Sequence, residues 1–184
     1  TDSEVVNIVV NPVNDAPVLS DINEQSMDED TVFTYDVLAS DVDDIDLLYS
    51  AIVDDNASIS FVNNNLTIIP DLNYNGQILV TVTVSDGQLT DNNDFLLTVV
   101  PVNDAPVLST LDNTEIQEDD PLTYSLSASD VDGDELIYEV VSSSGSISVS
   151  GSIINLIPVE NYHGDIIVDV IVSDGELSDS DSFI

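Results

Sequence analysis

The sequence contains no lysine, no arginine, no cysteine and no tryptophan, and its single histidine is His163. Nucleic acid and anionic membrane surfaces are held by Lys and Arg, so both are excluded as partners. Without cysteine, no disulfide staples the fold, and a small secreted domain lacking disulfides often depends on metal. Nucleophilic catalysis has no Cys or Lys to use, and His163 has no recurring Ser/Asp partner arrangement, so no enzyme is expected. No run of about 20 apolar residues is present, which excludes a membrane-spanning helix. No signal peptide is visible, so any export signal is expected outside this stretch.

What the chain has is acid: 37 Asp and Glu, for a formal charge of −37. Two readings stay open together, a solubility or salt adaptation of the whole surface and acids that neutralise divalent cations. Disorder, the usual companion of high charge, is disfavoured because 42% of residues are hydrophobic and lie in alternating runs.

The chain repeats itself. Val13-Asn14-Asp15-Ala16-Pro17-Val18-Leu19 returns unchanged 89 residues later as Val102-Asn103-Asp104-Ala105-Pro106-Val107-Leu108. Ala39-Ser40-Asp41-Val42-Asp43 recurs at Ala128–Asp132, and Glu29-Asp30 matches Glu118-Asp119 in the same register. Asn73-Tyr74-Asn75-Gly76 matches Asn161-Tyr162-His163-Gly164, and Val84-Ser85-Asp86-Gly87 matches Val172-Ser173-Asp174-Gly175, both 88 apart. One residue is therefore lost in the second copy, and the loop before Pro158 is the expected place. A period of this length means an array of modules joined by short hinges.

Alternation with period two marks strands with one buried and one wet face. It runs through Phe33, Tyr35, Val37 and Ala39, through Leu122–Ala128, and through Val80, Val82, Val84 and their counterparts Val168, Val170, Val172. Shorter strands fit Leu47–Val53, Ile59–Val62 and Leu66–Ile69, and Phe95, Leu97 and Val99 close the module. About seven strands per module of about 89 residues, with turns every 8–12, predict an all-β chain of two tandem seven-stranded Greek-key sandwiches of immunoglobulin type arranged as a rod. The boundaries expected are 1–13 for the last strand of a preceding repeat plus its linker, 14–101 for repeat 1 and 102–184 for repeat 2. Residues 1–10 align with 90–99, so Val6, Ile8 and Val10 mirror Phe95, Leu97 and Val99. A spare strand of this kind is expected to complete the second module of another copy, head to tail.

The acids that recur in register carry the chemistry. Residues i and i+2 of a strand point the same way, so Asp41-Val42-Asp43 and Asp130-Val131-Asp132 each offer two carboxylates to one ion. Calcium needs six to eight oxygens from carboxylates, carbonyls and amides. In a seven-strand sandwich the ends of strands two and six lie at the pole where the chain enters. Asp130, Asp132 and Asp174 are therefore expected to converge on Asn103-Asp104, and Glu29, with Asn73 or Asn75, to approach from the far pole of module 1. Repetition of the carboxylates argues for a structural ion over a glycosidase pair. Any one acidic turn residue taken alone is more often a solvated cap.

The chain resembles the bacterial tandem cadherin-like repeats of large secreted and surface proteins. Val102-Asn103-Asp104-Ala105-Pro106 is similar to a shortened cadherin calcium linker. Ala128-Ser129-Asp130-Val131-Asp132-Gly133 and Val172-Ser173-Asp174-Gly175 are similar to that family's two aspartate elements. The family's Asp-Arg-Glu element is replaced here by Asn-Tyr-Asn-Gly and Asn-Tyr-His-Gly. The resemblance implies a complete calcium junction of Glu29, Asn103, Asp104, Asp130, Asp132 and Asp174. It implies a half-site of Asn14, Asp15, Asp41, Asp43 and Asp86. Asp28 or Asp30 could substitute for Glu29.

The function expected is a calcium-rigidified extender or adhesion segment of a bacterial extracellular protein, its partners being calcium ions and the neighbouring repeats of the same chain. A calcium-dependent carbohydrate-binding module, with polysaccharide as partner, is one alternative, and the low aromatic content of 5% counts against it. Calcium-dependent association of like copies is the other.

Overall fold

The structure, a computed structural model, describes residues 4–184. The chain divides into two compact units between Val102 and Asn103. Among the described residues every element is a strand, and the chain is all-β.

In unit 1 the strands are β1 (Val18–Leu19), β2 (Gln25–Asp28), β3 (Phe33–Asp36), β4 (Ala39–Ser40), β5 (Leu48–Val53), β6 (Ala57–Val62), β7 (Asn65–Pro70), β8 (Gly76–Ser85) and β9 (Thr90–Val100). One sheet has the order β2-β9-β8-β5, the other β3-β7-β6, and β1 pairs with β4. Period-two patterning builds the layer between them. Val80, Val82 and Val84 of β8 are fully buried, as are Leu66 and Ile68 of β7, while their neighbours in sequence face outward. Phe95, Leu97 and Val99 of β9 complete the core.

Unit 2 repeats this plan without a counterpart of β2, with β10 (Val107–Leu108), β11 (Leu122–Ser125), β12 (Ala128–Ser129), β13 (Ile137–Ser142), β14 (Ser146–Ser150), β15 (Ile153–Ile157), β16 (Val168–Ser173) and β17 (Ser178–Phe183). Its sheets are β13-β16-β17 and β11-β15-β14, with β10 on β12. Its core holds Ile154, Leu156, Val168, Val170, Val172 and Phe183.

Two details depart from the sequence reading. The alternating run Phe33–Ala39 is two strands: β3 pairs with β7, Val37 donates its N–H to the Asn64 carbonyl at 2.9 Å, and β4 then turns to β1. The residue missing from the second copy lies in the turn after β13, not before Pro158. Val53 and Ser142 still pair in register with Val80 and Val168, while Ile59 and Ile147 already oppose Ile68 and Leu156. Gly145 stands in that shortened turn at φ +85°, where a Cβ would meet the Ile157 carbonyl oxygen at 2.5 Å. In this single chain residues 4–10 belong to no strand and Val5, Val6, Ile8, Val9 and Val10 are exposed; residues 1–3 of the expected spare strand lie outside the described residues.

Candidate metal centre

Each unit gathers its recurring acids at the pole where its chain enters. In unit 2 the Asn103 side-chain amide donates to Asp174 Oδ2 at 2.9 Å, and the Asp104 N–H donates to Asp132 Oδ2 at 2.8 Å. Asp130 Oδ1 accepts the N–H groups of Asp132, Gly133 and Asp134 at 2.9, 3.0 and 3.3 Å. Asp174 Oδ1 caps the turn after β16 through the N–H groups of Glu176 and Leu177, both at 2.7 Å.

Unit 1 has the same geometry. Asn14 donates to Asp86 Oδ2 at 2.7 Å, and the Asp15 N–H donates to Asp43 Oδ2 at 2.8 Å. Asp41 Oδ1 accepts from Asp43 and Asp44, and Asp86 Oδ1 from Gln88 and Leu89. Pro17 and Pro106 are buried, so each hinge is seated on the module that follows it. Within a module, then, the set Asn14, Asp15, Asp41, Asp43 and Asp86 is as fully assembled as Asn103, Asp104, Asp130, Asp132 and Asp174.

The orientation of these carboxylates leaves one oxygen of a particular kind. Asp41 Oδ2 and Asp130 Oδ2, at matching positions of the two repeats, are buried and have no hydrogen-bond partner. A buried carboxylate oxygen without a donor is costly, and a chain without Lys or Arg cannot provide a cation of its own from either side chain. Oxygen donors only, several of them anionic, suit a hard divalent cation. In unit 2 one carboxylate oxygen each from Asp130, Asp132 and Asp134 lie within 4.8 Å of one another. Asp134 escaped the motif reading because its counterpart in the first repeat is Ile45, which is 96% exposed. A residue that does not recur carries no signal in a repeat comparison.

Hydrogen bonds hold both turn-capping acids below the ordinary carboxylate range. For Asp86 the Leu89 N–H is the largest cause, followed by the Asn14 amide; for Asp174 the Asn103 amide comes first, then the Leu177 N–H. The hinge asparagines thus stabilise the ionised form.

Glu29 lies apart from these acids in unit 1. It is 4% exposed, its Oε1 accepts the Val102 N–H at 2.7 Å, and its Oε2 is 3.5 Å from the Asn75 side-chain amide. Asn73 does not join it; the Asn73 N–H donates to Asp30 Oδ1 at 2.9 Å. A further pair went unread in the sequence. Asp91 and Asp179, 88 residues apart, accept the N–H groups of Leu19 and Leu108 at 2.9 and 2.8 Å and so tie β1 and β10 to the last strand. The recurrence of Asp91 at Asp179 was the available signal.

Residues 14–97 and 103–183 each match the family described as "Bacterial Ig domain". No curated protein matches the sequence. Among solved structures, human protocadherin-24 EC1-2 is 17% identical over 81% of this chain and 86% of its own length, with a TM-score of 0.50, a likeness of fold alone. An endo-fucoidan hydrolase of glycoside hydrolase family 107 is 20% identical over 95% of this chain, which spans 29% of the hydrolase, at a TM-score of 0.42. The titin domains z1z2, in complex with telethonin, are 14% identical over 94% of this chain and 96% of their own length, at a TM-score of 0.41.

Proposed function

The chain belongs to the bacterial Ig domain family, and we propose that its two modules bind calcium and serve as a calcium-stiffened extender or adhesion segment of a bacterial extracellular protein. Families of this kind are generally non-enzymatic, and bacterial Ig domains are typically carried by surface or extracellular proteins. Among the described residues no helix is long and apolar enough to cross a membrane.

The observation that carries the proposal is the buried, partnerless Oδ2 of Asp41 and of Asp130. Calcium placed against Asp130 Oδ2 would also reach the carboxylates of Asp132 and Asp134, and the adjoining Asp104 and Asp174 would help complete six to eight oxygens. Seated on the hinge residues, the ion would remove the repulsion between these acids and hold the hinge against its module. Glu29, bonded to the Val102 N–H, would fix the chain just ahead of Asn103.

Calorimetric titration of chelator-stripped protein with calcium tests this. Saturable binding with dissociation constants of about 10⁻⁴–10⁻³ M is expected, as for extracellular modules. Loss of one class of sites in Asp130→Asn and of another in Asp41→Asn is expected as well. Heats unchanged by both substitutions would show that calcium only screens the surface.

Association between copies is favoured by one observation. Beside Ile116, Ile166 and Phe183 unit 2 has an open cavity of about 240 Å³, and Val5–Val10 form an exposed apolar segment patterned like β9. Sedimentation in chelator and about 0.5 M salt, where repulsion is screened, should show concentration-dependent association that Ile8→Asp abolishes; a single monomeric species at every concentration would dismiss it.

A further inference from the structure

The dipeptide Asn75-Gly76 occurs once in the chain and lies at the start of β8. The glycine is required by the fold. Gly76 has φ +143°, and a Cβ there would stand 2.9 Å from the Tyr74 hydroxyl oxygen, which itself donates to the Gln77 carbonyl at 3.1 Å. The second repeat keeps this glycine as Gly164, at φ +129°, with Tyr162 in the matching place. It does not keep the asparagine, which is His163 there. Asparagine at 75 is thus not demanded by the turn, although the glycine after it is.

Asparagine before glycine is the arrangement most open to intramolecular attack, because no side chain shields the following amide nitrogen and glycine reaches the conformations that closure needs. The Asn75 side chain is exposed, and its one contact, 3.5 Å to Glu29 Oε2, is at the outer limit of a hydrogen bond. The Asp-Gly pairs Asp86-Gly87 and Asp174-Gly175 are differently placed. Each carboxylate is ionised and held by two backbone N–H groups, and the glycine N–H donates to the preceding serine hydroxyl. A carboxylate so held is a poor electrophile.

We propose that Asn75 is a site of spontaneous deamidation that acts on the Glu29 contact to Val102. The Gly76 nitrogen attacks Asn75 Cγ, the new C–N bond closes a succinimide, and the side-chain nitrogen leaves as ammonia with the proton given up by Gly76. Water then adds to either imide carbonyl and breaks one C–N bond, leaving an aspartyl or isoaspartyl residue. The aspartyl product sets a second carboxylate about 3.5 Å from that of Glu29, which is 4% exposed and bonded to the Val102 N–H. Two carboxylates so placed repel one another, and the chain has no Lys or Arg to separate them. Deamidation therefore loosens the end of unit 1 in the absence of divalent cation, and a divalent cation reverses the effect by bridging the pair.

The whole chain is incubated in chelator at 37 °C and mildly alkaline pH, then digested and mapped by mass spectrometry, with an unfolded sample alongside. The Asn75 peptide is expected to gain one mass unit and to split into aspartyl and isoaspartyl forms in the folded protein. Asn75→Gln is expected to show no such change, and Asn75→Asp to melt several degrees lower than wild type in chelator with the gap closing in calcium. Conversion confined to the unfolded sample would overturn the proposal, as would equal melting of Asn75→Asp and wild type in chelator.

Discussion

Substituting Asp130 by asparagine separates an ion site from a merely acidic turn. The Asp130 Oδ1 atom accepts three backbone N–H groups, and an asparagine amide oxygen can take its place. What the substitution removes is the charge behind the partnerless Oδ2. Without calcium the variant should therefore melt no lower than wild type, since a costly buried charge is gone. With calcium at 100 times its dissociation constant, about 10 mM for a site of about 10⁻⁴ M, binding to the folded state alone adds about 2.7 kcal/mol. For a unit the length of residues 103–184 this corresponds to a rise in Tm of about 10–20 °C. The rise in unit 1 should be smaller, because Ile45 replaces Asp134. A chain of charge −37 is also stabilised by any screening ion, so the calcium increment is read against magnesium and against sodium chloride of equal ionic strength. Differential scanning calorimetry supplies all these values. An increment that survives Asp130→Asn undiminished, or that magnesium reproduces in full, refutes the reasoning.

Glu29→Gln should lower the melting of unit 1 by about 4–8 °C, since a hydrogen bond from Val102 to a charged acceptor exceeds a neutral one by about 1 kcal/mol; an unchanged thermal scan would count against it. Asp86 and Asp174 have depressed folded-state pKa values, so their bonds contribute stability above the unfolded value of about 3.9 and lose it as pH falls through the folded one. Protonation also relieves repulsion elsewhere, and the measurement is therefore the difference in urea midpoint between wild type and Asn103→Ala, which should shrink below about pH 4. Leu66→Ala, at a fully buried site, should cost unit 1 about 2–5 kcal/mol. Calorimetry should show the unit 2 transition in place, because each unit has a core of its own.

Where the two copies of the sequence agree, the strands and the site are legible in it. Val80, Val82 and Val84 recur at Val168, Val170 and Val172, and both runs are buried because a strand turns alternate side chains to the core. Asn14 and Asn103 meet Asp86 and Asp174 because both chains enter at the pole where β8 and β16 end. Where the copies differ, or where a contact joins residues without a motif, the sequence was silent. Asp134 aligns with Ile45 of the first copy, so no recurrence marks it. The break between β3 and β4 interrupts a run whose alternation is unbroken: Val37 still bonds the Asn64 carbonyl beside β7, whereas the next carbonyl, of Leu38, accepts the Ser20 N–H beside β1. The place of the deleted residue is not legible because Ser, Asn and Asp turns look alike in sequence, and only strand register counts residues between fixed partners.

The sequence by itself determined the all-β class, the two modules and the absence of any Lys or Arg to pair with an acid. The tertiary structure decided which acids bury an unpaired oxygen. Among the described acids, hydrogen bonding to backbone N–H groups leaves one buried oxygen of Asp41 and of Asp130 without a partner, and the Val102 N–H bonds Glu29. Composition counts charges. Only the fold, by fixing which donors each carboxylate already has, shows where a charge remains to be met.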